Sequence, residues 1–93
     1  MTTFVVEIRY TSDRELLERT RPAHRDYARS LAERGVLLAG GPLADGTGGL
    51  LVYATADRDE LDSLLAADPY TEAGVIAETT VREWTPLTGS WVS

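Results

Sequence analysis

The strongest constraint on the fold is the order in which the apolar period changes along the chain. Phe4, Val6, Ile8 and Tyr10 alternate with Val5, Glu7 and Arg9, which predicts a strand with two unlike faces. Thr11-Ser12-Asp13 is cap and turn chemistry, and a helical region follows over 14–34, interrupted by Pro22. Proline suits a first helical turn and disrupts an interior. The spacing therefore predicts a short turn over 14–19 and a main helix starting near Pro22. Leu17, His24, Ala28 and Leu31 share one stripe, with Tyr27 beside it, and Gly35 is the expected stop.

The apolar run 36–39 reads as a buried strand closed by a turn at Gly40-Gly41-Pro42. Residues 44–49 read as a polar, glycine-rich loop, and 50–54 as a third strand. Asp57 and Glu60 resemble a capping box opening a helix that carries Leu61, Leu64 and Leu65. Asp68-Pro69 starts a further short turn, which Gly74 ends. A fourth strand spans 75–84, and a tail with Pro86, Gly89 and Trp91 follows.

The resulting order, β-α-β-β-α-β, predicts one α+β domain over residues 1–93. It is the ferredoxin-like arrangement, a four-stranded antiparallel sheet with both helices on one face. The other face carries Val5, Leu51 and Tyr53, or their alternates, mixed with Glu7, Arg9, Glu78 and Arg82. A mixed apolar and charged face on so small a domain suggests a partner sheet. Two such sheets face to face would give a homodimer, a dimeric α/β barrel.

Composition narrows the function. There are nine basic and fifteen acidic residues, a formal charge of −6, and no lysine. That balance argues against nucleic acid and against an anionic membrane surface. No apolar run nears the roughly 18 residues of a membrane span, and the first ten residues lack a signal peptide's basic start. The cytoplasm is the expected compartment. With no cysteine and one histidine, a usual transition-metal site within the chain is not expected, nor is a cofactor.

The remaining chemistry centres on His24, the side chain best matched to moving protons near neutral pH. Asp68, 44 residues later, is a candidate to orient it. Each also has a plainer reading. His24 would be a core histidine with one hydrogen bond, and Asp68, followed by Pro69, a helix cap. At a helix start the dipole would favour a neutral imidazole, and a nearby carboxylate the charged one. Tyr70, next to Asp68, is the tyrosine best placed to line a pocket; Tyr10, Tyr27 and Tyr53 read as packing residues. Gly41 and Pro42 sit where a ligand can approach backbone. Arg21 is a candidate partner for a substrate carboxylate, or a solvated helix-start residue. Trp84 and Trp91 read as residues that bury surface at a strand end or an interface.

Three segments together resemble the YCII-related family: Arg21-Pro22-Ala23-His24, residues 35–42 (Gly-Val-Leu-Leu-Ala-Gly-Gly-Pro), and Ala67-Asp68-Pro69-Tyr70 with Ala73-Gly74-Val75. The resemblance covers nearly the whole chain. It implies a ferredoxin-like fold, a dimeric α/β barrel, and a site of one histidine and one aspartate, here His24 and Asp68. It also implies a lyase or isomerase role on small catabolic molecules.

The expectation is therefore a small cofactor-free enzyme with a small-molecule substrate. His24 would transfer a proton and Asp68 would orient it, in elimination or isomerisation beside a carbonyl. Two alternatives stay open: a cofactor-independent monooxygenase, and a non-catalytic dimeric ligand-binding or accessory domain.

Overall fold

A computed structural model describes residues 1–92. The elements are β1 (Thr2–Tyr10), α1 (Arg14–Glu33), β2 (Leu37–Pro42), β3 (Gly48–Thr55), α2 (Arg58–Ala66), α3 (Pro69–Glu72) and β4 (Ile76–Glu83). All strand pairs are antiparallel, in the order β2-β3-β1-β4. This is the ferredoxin-like α+β fold.

Local chemistry explains the boundaries. The Asp13 side chain accepts from the Leu16 N–H at 3.1 Å and starts α1. Asp57 accepts from the Glu60 N–H at 2.9 Å, while the Glu60 carboxylate reaches back to the Ala56 N–H. Gly35 and Gly74 follow the caps of α1 and α3 at φ of 74° and 80°, a region that disfavours other residues.

One core lies between the sheet and the helices. Phe4, Val6 and Ile8 of β1 and Leu51 and Tyr53 of β3 meet Leu17 and Leu31 of α1 and Leu61 of α2. Gly48 sets how closely β1 and β3 approach, since a Cβ there would fall 1.9 Å from the Ile8 carbonyl oxygen.

Some expectations need correction or narrowing. The first helix is continuous through Pro22 from Arg14 to Glu33. Burial of Leu17 before the proline and Leu31 after it holds both halves on the core, which outweighs the bond that Pro22 cannot make. Gly40-Gly41-Pro42 is not a turn but the end of β2, paired with Leu51, Leu50 and Gly49. Strand β2 lies at the sheet edge, where proline is tolerated. The β2–β3 loop is therefore 43–47, and Gly48 and Gly49 belong to β3. Leu51 and Tyr53 face the helices. Their alternates Leu50 and Val52 share the open face with Val5, Glu7 and Arg9. Trp91 is 82% exposed and Trp84 42%, so neither packs fully at a strand end within one chain.

Candidate active site

A cleft of about 340 Å³ opens between α1 and the β2 side of the sheet. His24 and Ala28 form its roof on α1, and Arg21, Arg25 and Arg29 border it along the solvent side of that helix. Its floor is Ile8, Leu37, Gly40, Gly49 and Leu51, with Pro42 and Gly41 at the sheet edge. Tyr10 and Tyr70 complete the wall.

His24 lies in the middle of α1, ten residues beyond its first residue. At about 1.5 Å per residue, roughly 15 Å separates it from the helix start, so the expected dipole effect has no basis here. What meets His24 is the junction after α2. There Asp68 is only 7% exposed. The imidazole Nδ1 lies 2.9 Å from Asp68 Oδ1 and 3.1 Å from Oδ2. An ionised carboxylate only accepts, so Nδ1 donates and carries the proton. Nε2 then has its lone pair free when the ring is neutral. It makes no hydrogen bond with the described residues and is not sealed from solvent. Because His24 lines the cleft, Nε2 is the ring atom available to a ligand.

Asp68 also caps α3, with Oδ1 accepting the Tyr70 N–H at 2.9 Å. One carboxylate thus serves the cap and the imidazole. The Tyr70 ring stacks on the imidazole, with centroids 3.9 Å apart and planes 6° apart. Tyr10 meets the Tyr70 ring edge-on at 5.7 Å. Tyr27 ties α1 to α2 by donating to the Leu64 carbonyl at 2.6 Å.

The electrostatics follow from burial and neighbours. Burial pushes the Tyr53 hydroxyl far above its ordinary value, with the Asp68 charge adding to it. Burial and then Asp68 raise Tyr27 as well. Tyr10 is raised by burial and by Tyr70, against the opposing pull of Arg21, Arg14 and Arg25. The Tyr70 hydroxyl beside Arg21 raises its guanidinium above the usual arginine value, so it stays charged. Among the described residues, no three His, Asp or Glu side chains converge as metal ligands.

The six residues read from the sequence as candidate site residues lie together here. Arg21, Gly41, Pro42, Tyr70 and His24 line the cleft, and Asp68 stands behind His24. Tyr10, Arg25, Arg29 and Gly49 join them. The available sequence signal was the spacing Arg21, Arg25, Arg29, one helical face at intervals of four.

The YCII-related domain family matches residues 2–85. The chain belongs to that family. No curated protein resembles this YCII-related domain closely enough in sequence to count as a match. Among solved structures it is similar to 5-chloro-2-hydroxyhydroquinone dehydrochlorinase from Burkholderia phenoliruptrix, in complex with 2,5-dihydroxybenzoquinone. The identity is 28% and the TM-score 0.76, over 89% of this chain and 93% of the other. A protein from Bacteroides thetaiotaomicron described as an antibiotic biosynthesis monooxygenase is 14% identical with a TM-score of 0.64, over 96% and 91% of the two chains. Rv0793 from Mycobacterium tuberculosis is 12% identical with a TM-score of 0.58, over 96% and 97%. The last two likenesses concern the fold alone.

Proposed function

We propose that this chain is a lyase or isomerase that moves a proton on a small organic substrate, with His24 as the base and Asp68 orienting it. The observation that carries the reading is the His24–Asp68 contact, which leaves Nε2 open to the cleft. In an elimination beside a carbonyl, Nε2 takes the C–H proton. The C–H electron pair forms the new π bond, and the leaving group departs with its own bond pair. Asp68 stabilises the imidazolium that results. In an isomerisation the same imidazolium returns the proton at another carbon. Arg21, Gly41, Pro42 and Tyr70 would hold the substrate. No step calls for a metal or a cofactor.

The similar dehydrochlorinase gives the first substrate to try. Wild-type protein should release chloride from 5-chloro-2-hydroxyhydroquinone or exchange the ring protons of 2,5-dihydroxybenzoquinone in deuterated water. His24→Ala should lower the rate by about 10²–10⁴-fold. Equal rates in the two proteins, or no turnover of either compound, would count against the reading. Oxygen uptake coupled to turnover would favour the monooxygenase alternative. Binding without turnover would favour the ligand-binding one.

We also propose that the working form is a homodimer in which the open sheet face, with Val5, Leu50 and Val52, meets its copy. Among the described residues no helix is long and apolar enough to cross a membrane.

A further inference from the structure

The chain carries a net charge of −6, yet the cleft has the opposite sign. Three of its nine arginines, Arg21, Arg25 and Arg29, line it, and no carboxylate does. They follow one another at i, i+4 and i+8 on α1, a spacing at which like charges repel and weaken a helix. Only Arg29 has an acidic partner, Asp26 at 3.2 Å. Arg21 and Arg25 form no salt bridge with the described residues; Glu18 acts on Arg21 only as a more distant charge. The single acid close to the reacting side of the cleft, Asp68, is taken up by the imidazole and the Tyr70 amide. Two guanidiniums therefore border the cleft with no carboxylate to bind; Arg21 meets the Tyr70 hydroxyl, and Arg25 is open to solvent at the cleft's edge.

The rest of the cleft selects for shape. Its floor is flat, because Gly40 and Gly49 place no side chain above the sheet; a Cβ on Gly49 would lie 3.5 Å from the Tyr10 hydroxyl. Ile8, Leu37, Leu51 and Ala28 supply apolar contact. A cavity of roughly 150 Å³ holds one benzene. The volume here, about 340 Å³, suits one ring with substituents.

We infer that the cleft binds a single-ring organic anion, its carboxylate or enolate oxygens on Arg21 and Arg25 and its ring on the glycine and leucine floor. This deepens the proton-transfer reading by naming its substrate class. The placement of a reacting carbon near Nε2 rests on that reading, whereas the selection of an anion does not.

Calorimetric titration with benzoate and with its neutral counterpart benzamide separates the two. Wild-type protein should bind benzoate at least about tenfold more tightly, and added salt should weaken benzoate alone. Arg21→Gln and Arg25→Gln, with unchanged circular dichroism, should each remove most of that preference. Arg19→Gln, an exposed arginine of α1 outside the cleft, should retain it. Equal affinity for the two rings, a preference that survives both arginine changes, or no binding of either at tens of millimolar would overturn the inference. Failure here with His24-dependent turnover intact would leave the dyad standing. Success here with turnover independent of His24 would leave an anion site without the dyad.

Discussion

The His24 imidazole and the Tyr70 backbone amide share one acceptor, Asp68 Oδ1, at 2.9 Å from each. The carboxylate that orients the proposed base therefore also starts α3. Moving it would tilt the ring that stacks on the imidazole.

That sharing makes the Asp68 variant informative. Asp68→Asn keeps a side-chain oxygen for the Tyr70 N–H but loses the charge opposite the imidazole. Stability should fall by about 1 kcal/mol or less, since asparagine also caps helices. Activity should fall by roughly 10²-fold or more. Thermal melts and rates on the same preparation separate the two. A rate loss no larger than the loss of folded protein would return Asp68 to a purely structural role.

Pro22 offers a test of the helix. It is exposed and sits inside α1, so the Glu18 carbonyl lacks its usual partner. Pro22→Ala would restore that bond. An interior proline costs about 3 kcal/mol, offset by roughly 0.4–1 kcal/mol from the stiffer unfolded chain. The variant should gain about 2 kcal/mol or slightly more, read as a higher Tm. An unchanged or lower Tm would show that the proline is matched to its place.

Alkaline pH should destabilise the fold through its tyrosines. Burial raises Tyr53 most, with Tyr27 and Tyr10 in the same direction. A raised acid stays protonated when folded while the unfolded chain ionises near pH 10. The unfolded state then binds fewer protons, so stability is full below about pH 10 and falls above it. Urea titrations from neutral to strongly alkaline pH should show this loss. Tyr53→Phe should flatten it, and an equal slope in both proteins would contradict the assignment.

Light scattering at micromolar concentration tests the homodimer. The expected mass is twice that of one chain. Replacing Leu50, 41% exposed on the open face, with Asp should shift the mass toward one chain. A single-chain mass for the unaltered protein would refute the proposal.

Much of this architecture was legible because period and caps agree. The alternation in β1 and the Asp57–Glu60 pair each point to one element, and each element is present. Pro22 and Gly40-Gly41-Pro42 mislead for a common reason. Local propensity marks a break, but packing on Leu17 and Leu31 and an edge position in the sheet override it. His24 and Asp68 stand out by residue type. Their meeting depends on a mid-helix residue facing the α2–α3 junction, which periodicity alone does not encode. The arginine stripe is visible as spacing, but its place at the cleft's border is a tertiary fact.

Strand β1 lies inside the sheet and pairs with β3 on one side and β4 on the other. Every residue that lines the cleft lies between Ile8 and Tyr70, and none comes from β4. Ile76–Glu83 instead covers the β1 edge opposite β3. A bare edge of this kind templates pairing with other chains. Strand β4 thus guards the sheet that carries the cleft without adding a side chain to it, so changes that weaken its pairing should appear as aggregation before they appear as altered ligand contacts.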